Sequence, residues 1–243
     1  MPEGPSIVIL KEAVQSFKGK KIINVTGNSK LNISRLTSKE IIDFKSWGKH
    51  FLICFEDFTV RIHFMLFGSY RINEVKNSPP RLSLQFENGE LNFYACSVLF
   101  IEEDINNVYD WTADVMNEHW NVANARKKLK AFPDRLVCDV LLDQFIFAGV
   151  GNIIKNELLF RIRVHPESKT GKLPPKQLKT LLDEAVNYSF EFLEWKKAFE
   201  LKKHWLVHTK KICPRCNIPI IRKHLGKTNR ITFFCSNCQV LYD

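Results

Sequence analysis

CPRCNIPIIRKHLGKTNRITFFCSNC, residues 213–238, fixes the architecture of the C-terminal part of this chain. Cys213 and Cys216 form one pair, Cys235 and Cys238 a second, and eighteen residues separate the pairs. That spacing matches a four-thiolate zinc site, in which each pair offers two sulfurs from one tight turn and the metal closes when the turns meet. Four thiolates leave no open coordination position, so one structural Zn2+ is expected rather than a catalytic one. Between the pairs, IPIIRKH (218–224) and RITFF (230–234) read as two strands joined by LGKTN, a hairpin for the metal to staple. Arg222, Lys223, Lys227 and Arg230 on it would deliver cations to a phosphate backbone from a rigid support. Zinc ribbons also serve as plain binding modules, so this segment alone leaves binding protein and enzyme equally open.

The basic character spreads outward from the hairpin. From Leu201 to Asp243 there are nine Lys or Arg and one acid, so most of the formal charge of +10 lies in the last 43 residues. A phosphate-binding surface needs such a concentration, because each neutralised phosphate releases a counterion. A disordered basic tail would lack the apolar pattern and metal ligands found here. The other three cysteines, Cys54, Cys96 and Cys138, sit in apolar runs and read as small buried hydrophobes rather than disulfide partners.

Upstream, two further composition regimes are visible in a chain of 243 residues with enough hydrophobic content, 45%, to bury a sizeable core. In the first, to about Glu103, Ile7, Leu10, Val14 and Phe17 recur at helical spacing and Gly19 is placed to stop that helix. The runs FLICFE (51–56), TVRIHF (59–64), RLSLQF (81–86) and ELNFYA (90–95) follow as strands, with Asn88-Gly89 as a hairpin turn. They suggest an antiparallel sandwich. Residues 104–121 show no period and mark a boundary. Apolar residues then recur helically in Leu136–Phe147, Ile153–Phe160 and from Pro175 to about Trp205. The expected fold is α+β: an N-terminal helix with a β-sandwich (1–112), a helical domain (119–208) and the zinc-stapled hairpin (209–243).

Within the helical part, FAGVGNIIKNELLFRIRVHP (147–166) places Gly149 and Gly151 around Val150, then Asn152 and a new helical pattern. This reads as a tight helix-to-helix turn, in which the glycines permit positive φ and close approach, and Asn152 with the next helix's first amides can bind phosphate. Gly-x-Gly-Asn is a weak pattern by itself.

Pro2-Glu3-Gly4-Pro5, this turn and the cysteine pairs, in that order, resemble the Fpg/Nei family of DNA glycosylases across essentially the whole chain. The resemblance implies a helix-two-turn-helix domain and a bifunctional glycosylase and AP lyase acting on damaged DNA. Removal of Met1 would expose the secondary amine of Pro2, which attacks C1′ of the damaged nucleotide and forms an iminium. The chemistry is reasonable on its own terms, since an α-amine has a reference pKa near ~8 and a helix N-terminus lowers it further. Glu3 matches the family's general acid/base. Lys49, in SWGKHFLICF, matches a strand lysine near the active site, while Asn152 and Arg230 match the phosphate clamp around the extruded nucleotide. HFMLFGSYRI (63–72) matches the intercalation loop, with Leu66 and its neighbours Met65 and Phe67 as wedges; as apolar residues of a β domain they fit a core equally well.

Two departures from the family's pattern stand out, the first bearing on the proton transfers and the second on the lesion. Ser6 stands where many members carry Glu, and YACSVLFIEE (94–103) lacks the Arg-Arg-Phe-Gly segment usual in 8-oxoguanine enzymes. With Gly4 at the third place of the N-terminal motif, the resemblance leans to the endonuclease VIII side and oxidised pyrimidines. A formamidopyrimidine-type enzyme, or an inactive zinc-containing DNA-binding protein with Met1 retained, are the alternatives. No apolar run is long enough to span a bilayer and no basic region precedes the N-terminal apolar stretch. The expectation is an intracellular monomer, cytoplasmic and nucleoid-associated in a bacterium, with damaged DNA and no membrane as partner.

Overall fold

The computed structural model describes residues 2–243 and divides into two compact units, one ending at Asp110 and the other spanning Trp111–Asp243. The expected loss of Met1 lies outside the described residues. The fold is α+β, with antiparallel sheets.

In the first unit, helix α1 (Gly4–Ala13) starts with Pro5 in its first turn, where a missing N–H costs nothing. Ile7, Leu10, Val14 and Phe17 are all buried; Phe17 closes a short 3-10 turn, and Gly19 reverses the chain at φ +73°. Eight strands follow: β1 (Asn24–Thr26), β2 (Asp43–Trp47), β3 (His50–Cys54), β4 (Thr59–His63), β5 (Ser69–Ile72), β6 (Leu82–Phe86), β7 (Gly89–Tyr94) and β8 (Ser97–Ile101). They form two four-stranded sheets, ordered β1-β6-β7-β5 and β2-β3-β4-β8. Alternate residues from both sheets, among them Phe51, Ile53, Val60, Ile62, Leu82, Leu84, Leu91 and Phe93, share one apolar core with α1, the arrangement of a sandwich. The β6–β7 turn falls one residue earlier than Asn88-Gly89: Glu87 and Asn88 make it, and Gly89 pairs with Phe86 at φ +143°. A short helix α2 (Ile105–Val108), capped by the Asp104 side chain, ends the unit.

In the second unit, helix α3 (Val122–Lys130) is capped by Asn121, whose side chain accepts from the Asn124 N–H at 3.0 Å. The apolar stretch Leu136–Phe147 forms only the four-residue helix α4 (Val137–Val140) and then a series of turns. Side chains close those turns: Asp143 accepts from the Phe145 N–H, and Gln144 donates to the Leu142 and Val150 carbonyls while accepting from the Gly149 N–H. Val137, Val140, Leu141, Ile146 and Phe147 are buried, but by turn chemistry rather than helix, and Phe145 is left exposed. Helix α5 (Asn152–Arg161) and the 23-residue helix α6 (Pro175–Lys197) pack against each other; α6 ends at Lys197, short of Trp205, and a 3-10 turn occupies Leu201–His204. Strands β9 (Ile221–Leu225) and β10 (Arg230–Phe234) make the hairpin, β9 starting three residues later than IPIIRKH implied because Pro219 can offer no ladder N–H. Leu225 and Phe234 bury into the helical core, tying the hairpin to α5.

Candidate active site and nucleic-acid interface

At the head of α1 the chain supplies chemistry and burial together. Glu3 occupies the N-cap position with extended backbone, makes no side-chain cap hydrogen bond, and is 1% exposed. A carboxyl so buried needs compensating interactions, and Glu3 is not without a partner. Pro2, directly before it and only half-buried, stands at the positive end of a ten-residue helix.

Lys49 differs in setting from the strand position expected. It occupies a two-residue hairpin turn between β2 and β3, after Gly48 at φ +52°, with Trp47 paired to His50. Beside it lies an aromatic and imidazole cluster that sequence reasoning did not single out. His50 Nδ1 is 3.2 Å from the Tyr109 hydroxyl, the His50 and His63 rings are 5.2 Å apart, and the Trp47 indole N–H donates to the Asp110 carbonyl. Burial first, then the nearby charges of Arg61, His63 and Lys49, pushes His50 down to about 3. Burial with Arg61 and Lys49 lowers His63 as well. Both imidazoles are therefore neutral at neutral pH. Alternation along β3 and β4 explains them, but their meeting across the ladder (His50 opposite His63) was invisible without the register.

Immediately after His63 the chain forms the loop 64–68. Phe64 anchors it in the core, and Gly68 packs so close that a Cβ would fall 2.8 Å from the Phe64 Cα. Pinched at both ends, the loop projects Met65, Leu66 and Phe67 outward; Phe67 is 87% exposed. The core alternative for these three residues is thereby removed. Three adjacent exposed apolar side chains call for a partner. Met65 also lines a hollow of about 340 Å³ with Asn28, Pro79, Arg81, Ala95 and Cys96. The Arg81 guanidinium is held there by the Asn28 carbonyl (2.8 Å) and the Cys96 carbonyl (3.4 Å). No arginine lies within 94–103, yet one from the start of β6 reaches that connection, a placement set by sheet order.

In the second unit the turn before α5 needs one left-handed glycine, not two: Gly149 has φ +99°, whereas Gly151 is extended at −118°. Asn152 is the first helical residue, and its side-chain amide donates to the Ile231 carbonyl of β10 at 2.8 Å. Three more polar residues of α5 bond to C-terminal segments of the chain. The buried Lys155 ammonium donates to the Thr232 hydroxyl (2.8 Å), which donates to the Arg230 carbonyl (3.1 Å). Asn156 reaches His208, and the Glu157 carboxylate accepts the backbone N–H groups of Leu206, Val207 and His208. So Asn152 and Arg230, 78 positions apart in sequence, belong to one hydrogen-bonded frame. Lys155 and Glu157 looked like one turn of an ordinary helix in the sequence.

The four cysteine sulfurs lie within 4.8 Å of one another, Cys213 to Cys238 at 3.8 Å and Cys216 to Cys235 at 3.4 Å. Tetrahedral zinc with bonds of about 2.3 Å separates its sulfurs by about 3.8 Å, so the cluster fits such an ion. The Ile218 N–H draws the Cys216 thiol down to about 6, while burial and the neighbouring thiols push Cys238 up, so the fit to a metal rests on the sulfur geometry. Phe160, Val207 and Phe233 pack beneath the cluster, and Arg215 donates to the Phe160 and Arg161 carbonyls at the end of α5. No helix among the described residues is long and apolar enough to cross a membrane.

Residues 1–96 match the formamidopyrimidine-DNA glycosylase N-terminal domain and residues 112–199 the formamidopyrimidine-DNA glycosylase H2TH domain. The chain is 31% identical over 236 residues to endonuclease 8-like 3 of Xenopus laevis, covering 90% of this chain and 38% of that protein. It is 32% identical over 197 residues to endonuclease 8-like 2 of Bos taurus, covering 74% of this chain and 58% of that one. The chain thus spans well under two thirds of these relatives. Among solved structures, a viral DNA glycosylase superposes with a TM-score of 0.84 at 21% identity, over 98% of this chain and 100% of that one. The formamidopyrimidine DNA glycosylase of Lactococcus lactis, bound to DNA containing an AP site, does so with 0.84 at 21%, over 98% and 99%.

Proposed function

Because the chain belongs to the Fpg/Nei family of DNA glycosylases, on its endonuclease VIII-like side, we propose that it is a bifunctional DNA glycosylase and AP lyase acting as a monomer on oxidised bases, pyrimidines foremost. The observation that carries the reading is the junction at α1: a proline at the positive helix end, followed at once by a buried carboxyl.

With Met1 removed, the neutral Pro2 amine attacks C1′; the new N–C1′ bond replaces the glycosidic bond and the damaged base leaves with a proton. Glu3 protonates the sugar ring oxygen, the ring opens and the C1′ iminium forms. Loss of a C2′ proton then expels the 3′ phosphate and nicks the strand; water returns the amine. Lys49, in its turn between the two strands, supplies a cation to the adjacent phosphate. Asn152 and Arg230 hold the backbone around the extruded nucleotide.

Met65, Leu66 and Phe67 fill the space the nucleotide leaves. One Zn2+ on the four cysteines contributes folding energy alone, holding the hairpin that carries Arg230. The preference for pyrimidines rests on the resemblance to the endonuclease VIII side and on the missing arginine in 94–103. A panel of lesion oligonucleotides tests it: excision of oxidised pyrimidines ahead of 8-oxoguanine is expected, and the reverse order would favour a formamidopyrimidine-type enzyme.

A further inference from the structure

The tip of the C-terminal hairpin closes on a buried carboxylate that the mechanism above does not use. Asp139, on α4, is 5% exposed. Its Oδ2 accepts the Lys227 N–H at 3.0 Å, and its Oδ1 accepts both the Thr228 N–H and the Thr228 hydroxyl at 3.2 Å. Bonds from neutral donors to an ionised carboxylate are roughly twice as strong as neutral pairs. The approach is so close that a Cβ on Gly226 would fall 2.3 Å from Asp139 Oδ1, and Gly226 has φ +69°. Glycine is required there on both counts.

A two-stranded ribbon is marginal alone and keeps its shape only through what it is tied to. The strands are tied by Leu225 and Phe234 in the helical core and by the Asn152 and Lys155 bonds to β10. The exposed tip residues Lys227–Asn229 are tied by Asp139. Arg230 is the next residue, where the tip becomes β10 opposite Leu225. Its backbone is therefore fixed from both sides, by Thr232 on its own strand and by the Asp139 grip on the turn before it.

We propose that Asp139 is a positioning residue for Arg230: it sets the hairpin turn from which the guanidinium reaches phosphate. The proposal rests on reading Arg230 as a phosphate contact. The test is a double-mutant cycle on the zinc-loaded protein with a duplex carrying a tetrahydrofuran abasic analogue, affinity being measured across a salt series. Asp139→Ala and Arg230→Ala are each expected to weaken binding about tenfold and to lower the log–log salt slope by about 0.9, the share of one phosphate. The double variant should bind no more weakly than Arg230→Ala. Hydrogen exchange at the Lys227 and Thr228 amides should quicken in Asp139→Ala, with the amides of β9 and β10 unchanged.

Additive losses, or an unchanged salt slope in Asp139→Ala, would remove the positioning role and leave the Arg230 contact standing. Wild-type binding by Arg230→Ala would overturn the phosphate contact itself, and the role of Asp139 with it. Should Asp139→Ala fail to fold, Asp139→Asn keeps the shape and one acceptor; a smaller loss, still non-additive with Arg230→Ala, is then required.

Discussion

The Asn152 side-chain amide donates across 2.8 Å to the Ile231 carbonyl, so a helix start and a hairpin strand 79 residues away are joined at the residue next to Arg230. Replacing Asn152 with Ala should lower the unfolding free energy by about 1–2 kcal/mol, the usual cost of a part-buried hydrogen bond, and also weaken DNA binding. Asn152→Asp should cost more, because a carboxylate would then face a carbonyl. Denaturant melts of the three proteins give the order; equal stability would show the bond to be incidental.

The loop 64–68 should separate stability from activity. Met65, Leu66 and Phe67 are exposed, so alanine at Leu66 or Phe67 should change stability by no more than about 0.5 kcal/mol. Excision from duplex DNA should nevertheless fall well below that from single strands, where there is no stack to wedge. Equal losses on both substrates would argue against the wedge.

Acid should destabilise the protein through its buried histidines. Burial, with the Lys155 charge, holds His208 down at about 4, and His50 is near 3, both below the unfolded value of about 6.5. A depressed folded pKa contributes stability that is complete above the unfolded pKa and is lost as pH falls toward the folded one. Each histidine should therefore remove about 1.4 kcal/mol per pH unit, from about 6.5 down toward 4 for His208 and toward 3 for His50. Thermal melts from pH 7 to 4.5 should show a shallower decline in His50→Gln and His208→Gln than in the parent. An unchanged slope would mean that these imidazoles are not the source.

Metal removal should act on folding and on DNA contact together. Elemental analysis is expected to find one zinc per chain, and chelation to lower the melting temperature and DNA affinity while making four more thiols reactive. Full retention of affinity in the metal-free chain would contradict the role of the hairpin.

Much of this organisation was legible because it is local. RITFF coincides with β10, and Ile7, Leu10, Val14 and Phe17 line the buried face where helical spacing put them. Periodicity reports burial rather than conformation, which is why Leu136–Phe147 looked helical while Asp143 and Gln144 were closing turns. Lys49 was seen as a strand residue because its neighbours on both sides are strands; Gly48 at positive φ makes it a turn. What stayed hidden depends on register and docking. His50 meets His63 through strand pairing, Arg81 reaches Cys96 through sheet order, and Asp139 holds residues 88 and 89 positions away. Short-range patterns carry no trace of such pairings.

Covalent capture at Pro2 tests the central claim most directly. Protein whose intact mass shows that it begins at Pro2 should be incubated with abasic-site DNA, reduced with borohydride and digested, and the modified peptide sequenced by mass spectrometry. The predicted result is a sugar remnant on the Pro2 nitrogen, lost in a variant that retains Met1 and in Pro2→Ala protein blocked by acetylation. Attachment to Lys49 or another lysine, or no trapped complex although the DNA is bound, would contradict the assignment of Pro2 as nucleophile.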